Sequence, residues 1–199
     1  MSVELLLTLA ALAFAVTITP GPNNLLVASS GVNFGYRRTL RHILGIVFGF
    51  PVLLLVSNTG LTWLVLESQQ AIDALKYCGG AYILFLSWKL VKGSKAERPS
   101  ERLQPLSFSE ACLMQWFNPK AWVLSAATAS ALAGQTVAFW ITMLVTVVLF
   151  ASISFLSASA WCLLGEYLQD YLCTGRSLKL FNLALAQLLA VSAAVLVFL

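Results

Sequence analysis

The chain has 199 residues, of which 59% are hydrophobic and 10% are charged, and its formal net charge is +4. An average soluble domain is about one quarter charged, so this composition excludes an ordinary water-exposed surface and favours a protein embedded in a bilayer. The mean hydropathy of +0.85 agrees. A spanning helix needs about 20 apolar residues and a spanning strand about 10 alternating ones. The apolar runs here are long and do not alternate, which predicts helices.

The first apolar run, Val3–Ser30, contains the segment Thr19-Pro20-Gly21-Pro22-Asn23-Asn24. Two prolines and a glycine within four positions break a helix. Inside a bilayer, broken backbone is tolerated only where protein or a water-filled cavity surrounds it. The segment therefore predicts a binding site. The residues before the run are not basic, so we expect a retained span and not a cleaved signal peptide.

The prolines of this segment remove two backbone donors, which predicts free carbonyl oxygens at Val16 and Ile18. We expect Asn23 or Asn24 to cap the helix that restarts after the break. Acceptors for an ammonium group and donors for a carboxylate would then meet at one point. A zwitterionic amino acid needs both, and a helix N-terminus favours its carboxylate.

The apolar runs predict six spans, which are Val3–Ser30, Leu44–Leu66, Ile72–Val91, Phe108–Ala131, Val137–Leu156 and Leu178–Phe198. Residues 92–105 form the longest hydrophilic segment, a predicted cytoplasmic linker between pseudo-repeats 1–91 and 106–199 of one transporter domain, residues 1–199. Because each half holds an odd number of spans, the second half enters the membrane in the opposite orientation. The predicted fold is an all-α membrane protein with two inverted three-helix repeats, in which helices 1 and 4 are broken near the midplane.

Basic residues cluster after the first and third spans, at Arg37, Arg38, Arg41, Lys89, Lys92, Lys95, Arg98 and Arg102. By the positive-inside rule, the odd-numbered loops are cytoplasmic and both termini are periplasmic. The clusters lack an aromatic or glycine-rich scaffold, so nucleic acid is not an expected partner. A single histidine and four cysteines without C-x-x-C spacing indicate neither a metal site nor a cofactor.

The fourth span contains a second break at Asn118-Pro119-Lys120, where Pro119 is expected to free the carbonyl of Gln115. A charged lysine deep in a span costs at least about 2.5 kcal/mol. Lys120 must therefore face a cavity, meet a polar partner on another helix, lose its charge or bind a substrate carboxylate. Two simpler interpretations stay open: Pro119 only kinks the helix, and Lys120 snorkels to the interface.

Small residues recur in the motifs Gly31-x-x-x-Gly35 and Gly45-x-x-x-Gly49, a spacing typical of close helix packing. In the third span, Gly79-Gly80-Ala81-Tyr82 predicts another close contact, with Tyr82 lining the cavity. No function is assigned to the tryptophans of spans three to five, Trp88, Trp116, Trp122 and Trp140.

Taken together, these motifs resemble the lysine-exporter (LysE/RhtB) family of amino-acid exporters. The matching elements are Thr19–Asn24, Ser29-Ser30, Gly35, Arg37, Arg41, Gly45, Gly49, Lys76, Gly79–Tyr82 and Asn118–Ala121. The resemblance implies export of amino acids or their derivatives across the bacterial inner membrane, driven by the proton-motive force. Many relatives carry an acid after the second proline, where this chain has Asn23, and this disfavours a dibasic substrate. The stretch through Gly49-Phe50 looks most like the cysteine and O-acetylserine exporter branch.

The predicted substrate-binding residues are Thr19, Pro20, Pro22, Asn23, Asn24, Tyr82, Asn118 and Lys120. The expected partners are a small amino-acid substrate, protons and membrane lipid, with a homo-oligomer left open. Two other functions are considered. An intramembrane enzyme would need Ser125 activated by Lys120, but five residues is a poor helical spacing for contact. A non-transporting membrane subunit would not need two helix breaks.

Overall fold

The computed structural model describes residues 2–61, 67–94, 104–132, 139–172 and 175–198, and within these ranges every regular element is helical. The helices are α1 (Val3–Ile18), α2 (Pro22–Val56), α3 (Gln69–Ser94), α4 (Phe108–Trp116), α5 (Pro119–Leu132), α6 (Phe139–Gln169) and α7 (Gly175–Phe198). A π-helical turn, Ser57–Leu61, follows α2.

Three described helices are long and apolar enough to cross a membrane, over Pro22–Val56, Phe139–Gln169 and Arg176–Phe198. Large apolar side chains point outward, among them Trp140 at 71% exposure and Val123 at 68%. Surfaces of this kind are matched to lipid and not to water. The prediction of a helical membrane protein is therefore confirmed, whereas the count of six spans and their inverted arrangement stay predictions.

Helix α2 is two antiparallel helices joined at Gly35, whose φ of 77° and ψ of 170° suit only glycine. The hydroxyl groups of Ser30 and Thr39 lie 2.9 Å apart, although nine residues separate them along the chain. In a continuous helix they would be about 13 Å apart at 1.5 Å per residue. The chain therefore reverses at Gly35, between residues 22–34 and residues 36–56.

This reversal corrects two details of the sequence analysis. The helix predicted from Leu44 begins at residue 36, and the arginine cluster that includes Arg37 and Arg41 lies on that helix and not in a loop. Gly35 itself forms the turn, and the Glu166 carboxylate accepts a hydrogen bond from the Tyr36 N–H at 3.2 Å. A single glycine and a cap supplied by a distant helix thus replace the expected loop.

The structure also bears on two further predictions, the linker and the Gly31–Gly35 motif. Helix α3 extends through Ser94, so the first residues of the 92–105 segment are helical, while residues 95–103 lie outside the described ranges. The domain boundaries stay a prediction. Gly31 lies in a close helix contact as expected, whereas its partner in the motif, Gly35, forms the turn.

Helices α2 and α6 approach until backbone meets backbone. A methyl group added at Gly31 would lie 2.2 Å from the carbonyl oxygen of Cys162, and one added at Gly165 would lie 2.1 Å from that of Ala28. Neither neighbour is a side chain that can rotate away. Two reciprocal glycines thus bring the first half of α2 against α6, and this contact positions both helices beside the break in Thr19–Asn24.

We expect Gly165→Ala to destabilise the protein, because the new methyl group must displace the backbone of α2 at Ala28. Overpacking of this kind costs about 1–3 kcal/mol. Thermal unfolding in detergent should show a lower midpoint for this variant.

Gly80→Ala is the matched control, since its methyl group would come within 2.5 Å of a side-chain atom of Val197, while the nearest backbone atom, the Ala193 carbonyl oxygen, lies at 3.6 Å. Val197 is partly exposed near the end of α7, so we expect a smaller loss of stability than a clash with backbone causes. Equal midpoints for the two variants would contradict a backbone contact between α2 and α6.

Candidate functional site

The first helix break occupies the predicted position. Helix α1 ends at Ile18, α2 begins at Pro22, and the intervening backbone is extended at Thr19 and at Gly21. No side chain caps the first turn of α2. The N–H groups at this helix terminus are therefore donors that a ligand can use.

The carbonyl oxygens freed by the prolines are already bonded. The Thr19 hydroxyl donates to the Val16 carbonyl at 3.0 Å. The indole N–H of Trp161 donates to the Ile18 carbonyl at 3.1 Å. The expectation that these two carbonyls are free acceptors is therefore wrong, because side chains take the place of the missing backbone donors.

Asn24 does not cap α2, because its side chain reaches back across the break to the end of α1. Its side-chain amide donates to the carbonyls of Thr17, at 2.6 Å, and Thr19, at 2.8 Å. The hydroxyl of Ser157 on α6 donates to the same Thr17 carbonyl at 2.8 Å. The polar side chain of Asn24, expected as a cap, thus holds the end of α1 against the start of α2.

The second break separates α4 from α5 at Phe117 and Asn118. The Asn118 side-chain oxygen accepts from the backbone N–H of Lys120 at 3.1 Å and so caps α5. The Gln115 carbonyl, expected to be free, accepts from the Asn118 N–H at 3.3 Å. The Trp122 indole donates to the Trp116 carbonyl at 2.8 Å. A tryptophan indole thus supports each of the two breaks.

The two breaks contact each other directly. The Lys120 ammonium donates to the carbonyl oxygen of Thr19 at 3.0 Å and to its hydroxyl at 2.6 Å. The Asn23 amide donates to the Gln115 side-chain oxygen at 2.9 Å. Among the described residues, Lys89 forms an ion pair with Glu110, and no carboxylate forms an ion pair with Lys120. Of the interpretations left open, the structure selects a polar partner on another helix.

A cavity of about 60 Å³, here called the break cavity, lies where the breaks meet. It is lined by Val16, Thr17, Gly21, Pro22, Asn23, Asn24, Ile46, Phe50, Gln115, Asn118, Lys120, Ala121, Leu124, Ser154, Ser157 and Ala158. The volume admits more than one water molecule, since about 10–15 Å³ suffices for each. The cavity lies between two apolar clusters, because Ile46 and Ala158 belong to one and Phe50 and Leu124 to the other.

Five of the eight predicted site residues line this cavity, namely Pro22, Asn23, Asn24, Asn118 and Lys120. Thr19 contacts Lys120 without lining the cavity, and Pro20 is exposed. Tyr82 lies outside the lining, where its ring packs 5.5 Å from that of Phe117.

Other cavity residues were not predicted from the sequence. They include Thr17, Phe50, Gln115, Ser154 and Ser157. The Pro20-Gly21-Pro22 motif marks the first helix break and gives no indication of the α6 hydroxyl groups, which lie well over a hundred residues further along the chain.

Asn23, which lines the cavity, has one acceptor without a partner. Gln115 donates from its own amide to the Ala111 carbonyl at 2.9 Å, so its oxygen faces Asn23 and fixes the Asn23 amide nitrogen as the donor. The Asn23 side-chain oxygen is buried and has no partner. An unpaired buried acceptor is costly. An ammonium group would satisfy it, and the spare donor of Lys120 would bind a carboxylate.

The alternative of an intramembrane enzyme finds no support in the geometry. The Ser125 hydroxyl is buried without a hydrogen-bond partner, and Lys120 bonds to Thr19 instead. The structure therefore does not bring Ser125 and Lys120 together as a nucleophile and its base. Over the described part of the chain, no cluster of three metal-ligating side chains occurs.

Comparison with known proteins identifies the family. A family model described as "LysE type translocator" matches residues 14–199. The chain is 30% identical over 164 residues to a cysteine/O-acetylserine efflux protein of Klebsiella pneumoniae, covering 81% of this chain and 83% of that protein. It is 33% identical over 104 residues to the protein of that name from Escherichia coli K12, 52% of each chain. No solved structure matches. The chain therefore belongs to the LysE family of translocators.

Proposed function

We propose that the protein is a secondary active exporter of amino acids or amino-acid derivatives in the bacterial inner membrane. The observation that carries this proposal is the break cavity, whose lining between two interrupted helices includes Lys120 and Asn23, the latter with an unpaired side-chain oxygen. Ligand sites formed by interrupted helices are a common feature of secondary transporters. Membership of a translocator family supports the same function.

The polar groups of the cavity favour a zwitterion with a small, uncharged side chain. Lys120 and the uncapped start of α2 favour the carboxylate, and the Asn23 oxygen accepts from the ammonium. Among the described lining residues no carboxylate is present to bind a second cation. The relatives are named as cysteine/O-acetylserine efflux proteins, and both of these compounds are small zwitterions with an uncharged side chain. Cysteine and O-acetylserine are therefore our first candidate substrates.

The proposal includes six crossings in two inverted repeats. Three pairs of contacts support it. The first half of α2 packs on α6 at Gly31 and Cys162, and the second half of α2 packs on α4 at Gly45 and Phe108. Helices α3 and α7 pack together where the Ser87 hydroxyl lies 2.8 Å from the Ala186 carbonyl. An exchange of partners of this kind is expected for two interlocked halves.

The direction of insertion follows from the basic residues. The Gly35 turn, with Arg37, Arg38 and Arg41, and the end of α3 at Lys92 are placed in the cytoplasm. Both termini then face the periplasm. Coupling to protons, which the resemblance implies, completes the proposed transport cycle.

Efflux from proteoliposomes tests the proposed function. Proteoliposomes preloaded with cysteine, O-acetylserine, serine, alanine or lysine should release the small neutral amino acids faster than equally loaded vesicles without the protein. Lysine should be released slowly. Release that never exceeds the protein-free rate for any of these would refute the proposal. Preferred release of lysine would refute the assignment of a neutral substrate.

We expect Lys120→Ala to abolish export, because the substrate carboxylate loses its positive partner in the cavity. A hydrogen bond to a charged group contributes about 1.5–3 kcal/mol, so uptake and efflux should fall by at least about tenfold. Counterflow in proteoliposomes measures the loss, and size-exclusion chromatography checks that the variant is folded.

Lys92→Ala is the control for a lost lysine, since Lys92 is exposed and its ammonium lies 5.1 Å from the centre of the Trp88 ring. Its counterflow should match that of the wild type. Export by Lys120→Ala at the wild-type rate would remove Lys120 from the site.

We expect Asn23→Ala to weaken binding specifically through the substrate ammonium, since the variant removes the unpaired cavity acceptor. The KM for an amino acid should rise about tenfold or more. The matched 2-hydroxy acid, which has no ammonium group, should compete equally well against the wild type and the variant. Equal losses of affinity for both compounds would show that Asn23 acts only on cavity shape.

A further inference from the structure

A second cavity lies along the α2 hairpin, about 9 Å from the first by helical rise between Asn24 and Ser30. This His42 chamber has a volume of about 40 Å³. It is lined by Leu26, Ser29, Ser30, Phe34, His42, Leu86, Lys89, Leu90, Gln104, Pro105 and Leu106. The chamber admits water molecules, as the break cavity does.

His42 is the single histidine of the chain, and it is buried to 1% exposure. Neither of its ring nitrogens has a hydrogen-bond partner. A buried imidazole normally has partners for both nitrogens, since an unsatisfied buried polar atom is destabilising. His42 lines the chamber, so water is the partner available to the ring once the chamber opens.

Several helices contribute charged and titratable side chains around the chamber. Lys89 of α3 lines it, and its ammonium lies 3.4 Å from a Glu110 oxygen of α4. Other titratable side chains of the packed helices include Arg37, Arg38 and Arg41 on α2, Tyr82 on α3, Cys112 on α4, and Cys162 and Glu166 on α6. Among the described lining residues, His42 is therefore the titratable side chain that is not already held in an ion pair.

Apolar side chains separate the two cavities. Leu26 borders the His42 chamber, Ile46 borders the break cavity, and the fully buried Ile43 lies in the same apolar cluster as both. The chamber lies toward the end of the molecule that carries the Arg37 and Lys92 clusters, and the break cavity lies further in. A molecule or ion passing between them must displace this apolar layer.

We propose that the His42 chamber is the cytoplasmic proton site of the transporter, in which water delivers a proton to an imidazole nitrogen of His42 and receives it back when the chamber opens to the cytoplasm. The inference rests on the proposed export function. The proton forms an N–H bond on the ring nitrogen and is returned to water, so nothing else is consumed. Protonation makes the ring a donor at both nitrogens, and the buried site disfavours that charge until the chamber hydrates.

His42→Gln tests the proposal, because it keeps a polar side chain of similar length but cannot carry a proton near neutral pH. In proteoliposomes with O-acetyl-L-serine, we expect counterflow within about twofold of wild type. Accumulation driven by a pH gradient should fall at least tenfold. Ser87→Ala, which removes a buried hydroxyl next to Leu86 but outside the chamber, should retain both activities.

Unchanged pH-driven accumulation in His42→Gln would overturn the proton role. Loss of counterflow as well, in a folded variant, would also overturn it and would make His42 a substrate or packing residue. A wild-type protein that exchanges none of the tested amino acids would refute the export function itself, which is a different result.

Chemical modification of the wild-type protein provides a test that does not depend on the variant folding. Diethyl pyrocarbonate modifies neutral imidazole, and mass spectrometry of the peptide that contains His42 reports the reaction unambiguously because the chain has one histidine. Modification should be slow in the resting protein and several-fold faster during exchange of O-acetyl-L-serine. A rate that exchange does not change would overturn the proposal, since the chamber would then never open.

Discussion

A backbone carbonyl at membrane depth has no water to bond with, and this constraint organises the site of the protein. Lipid cannot replace a missing N–H donor, and each unsatisfied group costs several kcal/mol. The structure supplies the donors from side chains: Trp161 to Ile18, Trp122 to Trp116, and Asn24 to Thr17 and Thr19. The helices are thus broken without leaving these carbonyls unpaired. Among the described buried side-chain atoms that stay without a partner, the Asn23 oxygen belongs to a residue that lines the break cavity.

The same constraint explains what the sequence could and could not predict. Pro20, Pro22 and Pro119 locate both breaks, because proline removes a donor wherever it stands. The groups that compensate are distant: Trp161 is 143 residues from Ile18, and Gln115 is 92 residues from Asn23. Sequence reasoning therefore found both helix breaks and assigned their free acceptors to the wrong atoms. The open acceptor is a side-chain oxygen of Asn23, which can be identified only once Gln115 is seen to hold the amide nitrogen.

Helix α2 shows a second limit of sequence reasoning. A glycine at a spacing of four from another predicts packing, and Gly31 does pack against Cys162. Gly35 has the same spacing but reverses the chain, because Glu166 is positioned to accept from Tyr36 immediately after it. The two roles of glycine, close approach and positive φ, cannot be distinguished without knowledge of the neighbouring helix. This turn also places the arginine cluster on a helix and brings His42 against Ser29 and Ser30.

The pairing of Lys120 with Thr19 accounts for the neutral residue at position 23. Two neutral oxygens hold the Lys120 ammonium, and a substrate carboxylate would displace a neutral acceptor more readily than it would displace another carboxylate. An acid at position 23 would lie in the same cavity and compete with the substrate for Lys120 through a buried ion pair, which is costly to break. Asn23 keeps an acceptor at this position without that competition. Under the proposed function, the cavity would therefore bind a zwitterion and release it.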